Sequence, residues 1–341
     1  MAAITLKEIA QLAGVSVSTV SLVLNNRPCR ISDSTKDKIR MIAKEHNYRP
    51  NAIARSLVMR QSKTLGLIIP DIENLFFSTL AKSLEMNLRK EGYSLIIMNT
   101  DEDSEEDYEL LNVLVDKGID GLFIIISNDI YLERQRMIDR LDDLRIPFIM
   151  VDRIFDDYEC NKVYFNNFEG SYKATRHLIE AGHKQIACLA HTIATKNTLS
   201  RLNGYIHAMR SQGLKVQPEQ ILLGNYKLQS GYDACRQFLE TGCTALLVCN
   251  DMMALGVIKY LFEQAYKIPE DYSIVSYDNQ LASYLFEVSL TSVDQNVNTL
   301  GVYAAQLMLK LLDSGEYKGE PVKICLEPEL IIRKSVKDYN L

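Results

Sequence analysis

From Leu65 onward, short apolar runs alternate with amphipathic stretches of helical spacing. The apolar runs predict eight strands, at residues 65–69, 93–98, 121–126, 147–151, 162–165, 186–190, 245–249 and 273–277. The amphipathic stretches between them predict helices, among them 79–92, 107–118, 170–182 and 231–242, each ending in glycine. Strands that are apolar on both faces and alternate with helices are typical of doubly wound parallel sheets. Eight strands over this length favour an α/β fold with two such lobes rather than one sheet.

The first 47 residues show only helical patterns. Thr5 to Glu8 match a capping box that opens a first helix, and Gly14 predicts its end. Ser16 is a predicted N-cap of a second helix over about 17–25, and Ser32 of a third. Three short helices, the first two joined by a turn that contains glycine, predict an all-α helix-turn-helix headpiece that binds DNA.

The charge distribution supports a nucleic-acid partner. Residues 1–63 carry eleven Lys or Arg and four Asp or Glu, for a net charge of +7. The remaining residues carry 27 basic and 40 acidic side chains, for a net charge of −13. Phosphate attracts such a basic segment and repels the acidic body, although a chance excess of charge on a solvated face is the alternative.

Other features bound the class of protein. No apolar run reaches the roughly 20 residues that span a bilayer, so no membrane partner is expected. The N-terminus lacks the pattern of a signal peptide. The seven cysteines are scattered and form no CxxC pair, which favours reduced thiols in a cytoplasmic protein over disulfides or a metal site. No cofactor is expected.

Two stretches in the first 60 residues resemble a known protein family. The stretch "TLKEIAQLAGVSVSTVSLVLNN" resembles the headpiece of the LacI-type (lactose/purine repressor) family, and "YRPNAIARSL" resembles its hinge. The resemblance implies that Val17, Ser18 and Leu22 contact base edges. It implies contacts with the DNA backbone by Thr5, Leu6, Ser16, Thr19, Ser21 and Asn25, and further DNA contacts by the hinge residues Asn51, Ala54 and Leu57.

Leu22 departs from the family pattern, because many relatives have an arginine there that reads a guanine. A leucine is able to contact a thymine methyl instead, or simply to pack on the headpiece. The hinge helix from Pro50 to Val58 has barely two turns, so it is expected to fold only on DNA. The residue pattern alone makes Leu57 a core residue, whereas the resemblance makes it a wedge between minor-groove base steps.

The resemblance covers essentially the whole chain and implies a periplasmic-binding-protein-like core. The expected domains are a headpiece (1–47), a hinge helix and linker (48–63) and an effector-binding core (64–341). Within the core, one lobe takes residues 64–162 and 295–326, and the other takes 163–293 and 327–341. The chain is expected to cross between the lobes near Phe165, Val293 and Glu327.

Ligands of doubly wound sheets bind beyond the carboxyl ends of the strands. The residues at those ends, with the helix start that follows the first strand, are Asp71, Phe76, Phe77, Asp152, Phe165, Asn250 and Asp278. An Asp after a strand is also a common cap or turn residue. The resemblance adds Arg201, Tyr226 and Gln295, and it marks Ser276 as a departure from a usual glycine.

Carboxylates, an arginine and aromatic rings suit a sugar or sugar derivative, while the rings also suit a purine. An enzyme is the rival class, but no GxGxxG, P-loop, HExxH or GxSxG motif stands at a strand end. The five histidines lack metal-ligand spacing, and a free binding protein does not need residues 1–63. We therefore expect an allosteric transcription regulator, a repressor that binds a palindromic operator as a homodimer, controlled by a small molecule or by a protein co-regulator.

Overall fold

The computed structural model describes residues 4–25, 27–48, 61–281, 288–315 and 319–340. The chain divides into two compact units, residues 1–62 and 63–341. The predicted hinge residues Asn51, Ala54 and Leu57 lie outside the described residues.

The first unit contains the three expected helices, α1 (Leu6–Ala13), α2 (Val17–Leu24) and α3 (Asp33–Glu45). The Thr5–Glu8 capping box is complete, and the Ser16 and Ser32 hydroxyls accept backbone N–H groups three residues ahead. Gly14 takes a left-handed φ of 74°, which turns the chain from α1 into α2. The inward faces meet in one small core built around Ile9, Val20 and Ile39.

Among the described residues, no single helix is long and apolar enough to cross a membrane. Helices α1 and α2 pass that test only as a pair, with a bend of 103° between them. Their apolar residues are buried in the headpiece core with those of α3.

The first lobe of the second unit is built on a six-stranded parallel sheet. Its strand order is β11-β5-β4-β3-β1-β2, and its strands are β1 (Thr64–Ile69), β2 (Ser94–Asn99), β3 (Gly121–Ile124), β4 (Phe148–Val151), β5 (Lys162–Phe165) and β11 (Lys323–Leu326). Helices α4 (Leu75–Lys90) and α11 (Val297–Ser314) contribute to one core, and α5 (Ser104–Asp116) and α6 (Arg134–Asp142) to another. A short 3-10 helix, Asn128–Leu132, follows β3.

The second lobe has a six-stranded sheet of order β12-β10-β9-β8-β6-β7. Its strands are β6 (Ile186–His191), β7 (Ile221–Gly224), β8 (Ala245–Val248), β9 (Ser273–Asp278), β10 (Thr291–Asp294) and β12 (Glu329–Ile331). Only β12 is antiparallel to its neighbour in the described sheet. The helices are α7 (Asn167–Glu180), α8 (Lys196–Ser211), α9 (Leu228–Glu240) and α10 (Asp251–Glu263), and a 3-10 turn at Pro218–Gln220 precedes β7.

The structure has the expected two-lobed α/β fold, but a lobe boundary and several helix starts differ from the prediction. Strand β5 runs to Phe165 in the first sheet, three residues beyond the lobe boundary expected at 162. Helices α4, α5 and α7 begin three or four residues before their predicted starts at 79, 107 and 170, because Asn74, Asp103 and Asn166 act as their N-caps. The chain changes sheets after Phe165, Asp294 and Leu326.

Candidate functional site

A cavity lies between the two lobes, next to the carboxyl ends of several strands. The free space between its walls amounts to about 370 Å³, which includes space open to solvent. Its walls are formed by Asn74, Phe76, Phe77, Asn128, Asp152, Arg153, Thr195, Asn197, Arg201, Tyr226, Asn250, Asp278 and Gln295. Eleven of these thirteen residues carry a polar side chain, so the cavity suits a ligand rich in hydrogen-bonding groups.

Arg201 of α8 is the anchor of the second-lobe wall. Its guanidinium donates hydrogen bonds to Asn167 (2.8 Å), to Gln295 (3.2 Å) and to the Cys249 carbonyl, and lies 3.7 Å from the Asp278 carboxylate. It also stacks 3.9 Å from the centre of the Tyr277 ring. These contacts fix one rotamer of a long side chain that is almost completely buried.

Asp278 ends β9 and faces Arg201. Burial raises the pKa of its carboxyl, although the Arg201 charge acts in the opposite direction. The turn after it is held by Asp251, whose buried carboxylate accepts the backbone N–H groups of Gln280 (2.5 Å) and Leu281 (2.9 Å). Ser276 donates its hydroxyl to the same carboxylate at 2.5 Å. Ser276, which the resemblance marked as a departure from a usual glycine, therefore supports the turn that places Asp278.

Asp152 lies on the first-lobe wall, immediately after β4. One carboxylate oxygen, Oδ2, accepts a hydrogen bond from Asn197 of the second lobe at 3.3 Å. The other, Oδ1, is buried without a partner among the described residues. Burial raises the pKa of this carboxyl, opposed by Arg201 and Arg153.

Asn128 presents a second acceptor of this kind. Its Oδ1 is buried without a partner in the described part of the chain. Its backbone and side-chain N–H groups donate to Glu102 (3.0 and 3.2 Å), and its amide nitrogen lies 3.4 Å from His191 of the second lobe. Because a buried, unpartnered acceptor costs free energy, both Asn128 and Asp152 favour a ligand that donates hydrogen bonds.

Three aromatic rings also line the cavity, those of Phe76, Phe77 and Tyr226. Phe76 and Phe77 pack edge to face, with ring centres 5.3 Å apart, at the start of α4. The Tyr226 ring lies 4.6 Å from His191, and its hydroxyl is 3.3 Å from the Thr198 hydroxyl. Such rings are able to cover the apolar face of a small cyclic molecule.

The backbone of the cavity is strained at three of its functional positions. Asp152, Tyr226 and Asp278 have φ values of 59°, 64° and 87°, in the left-handed region that glycine prefers. Non-glycine residues held there cluster at ligand sites in proteins generally.

The structure brings together eight of the ten predicted effector residues: Phe76, Phe77, Asp152, Arg201, Tyr226, Asn250, Asp278 and Gln295. The other two do not line the cavity. Phe165, at the end of β5, is buried in the first-lobe core with residues of α4 and α11. Asp71 instead stabilises its own turn, since its carboxylate accepts the N–H of Glu73 at 2.9 Å.

Five residues of the cavity wall were not predicted: Asn74, Asn128, Arg153, Thr195 and Asn197. Arg153 follows directly after the predicted site residue Asp152, so the sequence already indicated that Arg153 lies near the cavity. Asn74 and Thr195 are N-caps of α4 and α8. A predicted N-cap at a helix that starts next to a ligand cleft could therefore have been included among the candidate site residues.

The outer face of α2 is the candidate DNA-binding surface of the headpiece. Val17 is 43% exposed and Ser18 is exposed, while Ser21 and Leu22 are half-buried. The Ser16 hydroxyl lies 2.8 Å from those of Ser18 and Thr19. The remaining residues expected at DNA, Thr5, Leu6 and Asn25, lie at the starts or ends of α1 and α2, where Thr5 and Asn25 also cap the helices.

Comparison with known proteins identifies the family. The profile of bacterial regulatory proteins of the lacI family matches residues 5–51, and that of a periplasmic-binding-protein-like domain matches residues 175–336. The HTH-type transcriptional repressor PurR of Pasteurella multocida is 34% identical over 336 residues, which cover 98% of each chain. This chain belongs to the LacI family.

Solved structures of LacI-family proteins agree with this assignment. The lac repressor dimer bound to operator and the anti-inducer ONPF has a TM-score of 0.86 at 26% identity, over 98% of this chain and 100% of that one. A LacI-family regulator from Enterococcus faecium with bound ribose has a TM-score of 0.71 at 29% identity, over 81% of this chain and 99% of that one. The LacI-family chain described here is thus a DNA-binding transcription regulator with an effector domain, and not an enzyme, as the sequence predicted.

Proposed function

We propose that this LacI-family protein is a repressor that binds a palindromic operator as a homodimer and is controlled by an uncharged sugar in the cleft. The observation that carries the effector class is the pair of buried acceptors, Asp152 Oδ1 and Asn128 Oδ1, which have no partner among the described residues. Hydroxyl groups of a sugar supply the missing donors.

The charges of the cleft support an uncharged effector. Arg201 faces Asp278 at 3.7 Å, and Arg153 pairs with Glu102 at 2.7 Å. Both guanidinium groups in the wall are therefore already balanced by carboxylates. A nucleobase is the second candidate, because Phe76, Phe77 and Tyr226 present flat rings on which it is able to stack.

The edges of the two sheets support a homodimer. Edge strands β2 ("SLIIMN") and β7 ("ILLG") carry no charged residue, and each has an exposed apolar side chain, Ile97 (41%) and Leu223 (55%). The opposite edges carry charges, Lys323 in β11 and Glu329 in β12. Since charges protect an edge from association, the two uncharged edges are the ones that a second copy covers.

The DNA-binding role falls to the headpiece, where the outer face of α2 supplies the base contacts of Val17, Ser18 and Leu22. The contacts with the DNA backbone come from the start of α1 and from α2 with its caps, by Thr5, Leu6, Ser16, Thr19, Ser21 and Asn25. Further DNA contacts are proposed for the hinge residues Asn51, Ala54 and Leu57, which lie outside the described residues, with Leu57 as a wedge in the minor groove. Such a protein acts where its DNA is, in the cytoplasm.

The test is the thermal midpoint of the full-length chain against a panel of monosaccharides, sugar phosphates and nucleobases. A ligand that binds only the folded state at about 100 times its Kd stabilises it by about 2.7 kcal/mol. An uncharged sugar is expected to raise the midpoint, and Arg201→Ala and Asp278→Ala are expected to abolish the rise. The control is Arg136→Ala, which removes an exposed ion pair with Glu105 outside the cleft.

A midpoint raised by a nucleobase and by no sugar favours the second candidate. If no compound shifts the midpoint, the small-molecule proposal fails and a protein co-regulator is to be sought. The regulator assignment is tested separately, by selecting sites from random duplex DNA and measuring the salt dependence of binding.

A further inference from the structure

Glu102 lies outside the cavity wall but bonds to two of the residues that form it. Its carboxylate accepts hydrogen bonds from Nη1 and Nη2 of Arg153, with N···O distances of 2.9 and 2.7 Å. The same carboxylate accepts the backbone and side-chain N–H groups of Asn128, at 3.0 and 3.2 Å. One acidic side chain therefore orients both the unpartnered Asn128 acceptor and a cleft guanidinium.

The backbone around Glu102 is held in an uncommon conformation. Glu102 and Asp101 both take left-handed φ values, 64° and 53°, in the turn between β2 and α5. The Glu102 N–H donates to the Pro70 carbonyl at 2.9 Å, which ties this turn to the end of β1. Strain of this kind persists only where the surrounding structure enforces it.

The ion pair with Glu102 neutralises the charge of Arg153, whose side chain is buried. Its side chain is 5% exposed, and its guanidinium lies 5.2 Å from the centre of the Phe77 ring. A third hydrogen bond runs to the Ile126 carbonyl at 3.0 Å. The Arg153 charge keeps the pKa of Glu102 below its usual range even though burial acts to raise it.

A guanidinium without a carboxylate partner is a strong ligand for phosphate, through paired N–H donors and charge. In this cleft the Glu102 carboxylate already occupies those donors on Arg153. A phosphate that approaches Arg153 meets a nearby negative charge instead of an unbalanced cation.

We propose that Glu102 is a specificity-determining residue that excludes phosphorylated and other anionic effectors by occupying Arg153. This inference rests on the proposed function for its biological meaning, because it concerns which sugars the cleft admits. The physical claim concerns only Glu102, Arg153 and an anion, and it is tested without knowledge of the effector.

The experiment measures the affinity of the full-length chain for inorganic phosphate, from the rise in thermal midpoint with phosphate at constant ionic strength. Glu102→Gln removes the charge and keeps the shape, so it is expected to bind phosphate about tenfold or more tightly than the unmodified chain. Glu102→Asp keeps the carboxylate and is expected to gain nothing. The double variant Glu102→Gln/Arg153→Met is expected to lose the gain.

The matched control is Glu105→Gln, which removes the same charge from the exposed pair with Arg136. It reports any phosphate binding by the basic headpiece, which all variants share. If Glu102→Gln unfolds in chloride, phosphate is expected to restore its fold. The proposal is overturned if Glu102→Gln gains no more phosphate affinity than Glu105→Gln, or if it unfolds and phosphate does not restore it. A sugar panel that yields no effector leaves this result unaffected.

Discussion

Arg201 and Asp278 face each other across 3.7 Å at the base of the inter-lobe cleft, and both side chains are at most 7% exposed. Removing Arg201 leaves Asp278 as a buried carboxylate without its cation and leaves the Gln295 Oε1 without its donor, whereas Asn167 Oδ1 keeps the hydrogen bond from Gln295 at 3.2 Å. Breaking a buried pair of this kind costs about 3–5 kcal/mol.

We therefore expect Arg201→Met to lower the free energy of unfolding by roughly that amount, about 3–5 kcal/mol, as measured by urea denaturation of the full-length chain. The exposed pair of Arg136 and Glu105 provides the comparison, because Arg136→Met is expected to change stability by less than about 1 kcal/mol. Equal effects of the two substitutions contradict the anchoring role of Arg201.

Asp107 on α5 makes stability depend on pH. Its side chain is fully buried, with Oδ2 accepting the Ser127 N–H at 3.0 Å and Oδ1 without a partner in the described chain. Burial raises the pKa of this carboxyl from 3.8 to about 7. The folded state then binds a proton more tightly than the unfolded state, so stability falls as the pH rises from about 4 to about 7.

The contribution of Asp107 between pH 5.5 and 8 is about 2 kcal/mol, at 1.36 kcal/mol for each pKa unit. Asp107→Asn mimics the protonated form and is expected to stabilise the protein at pH 8 and to flatten the pH dependence. Urea denaturation at the two pH values measures this. An unchanged slope in Asp107→Asn shows that other groups produce it.

Leu22 on α2 is expected to set base preference. It is half-buried, but it is not among the side chains that pack on the described headpiece core, so its substitution leaves the fold intact. A leucine favours an apolar contact such as a thymine methyl, whereas an arginine pairs with guanine, and one such contact is worth about 1–3 kcal/mol.

Selection from random duplex DNA is therefore expected to give A·T at one position of each half-site for the natural chain and G·C for Leu22→Arg. The thermal midpoint of the variant serves as the control for folding. Identical selected sites show that Leu22 does not reach the bases.

Ile97 on edge strand β2 is expected to lie in the dimer interface. A lysine at this position charges the edge, so Ile97→Lys is expected to shift the protein toward the monomer in sedimentation equilibrium. Ile332→Lys is the matched control, because Ile332 is equally apolar and 61% exposed but follows β12 at the other edge of its sheet. A dimer that resists Ile97→Lys places the interface elsewhere.

The sequence predicted the elements that have strong patterns and missed those without them. Strands β1 and β6 are continuous apolar runs, so they were predicted almost to the residue. Strand β7 has only four residues, and its exposed Leu223 breaks the buried pattern. It becomes a strand through pairing with β6, a contact that local sequence does not encode.

The candidate site was likewise predicted only in part from the sequence. A position at a strand end predicts that a residue is near the cleft, but not which face its side chain takes, so Asp152 lines the cavity and Phe165 does not. Asn128 and Asn197 come from a 3-10 helix and a helix start, and only the approach of the two lobes makes them part of the wall.

The left-handed backbone at Asp152, Tyr226 and Asp278 has an evolutionary consequence. Each position costs the folded state on the order of 1–3 kcal/mol, which a glycine would relieve. Glycine at any of the three also deletes a side chain from the cleft wall. Only at Asp152 does glycine leave the packing and the ion pairs intact, since that side chain makes one 3.3 Å hydrogen bond and its Oδ1 has no partner among the described residues. Glycine at Asp278 breaks the buried pair with Arg201, and glycine at Tyr226 removes a ring that packs on the second-lobe core. A population selected only for heat resistance is thus drawn toward glycine at the Asp152 codon, and its members lose their response to the effector while they keep their fold.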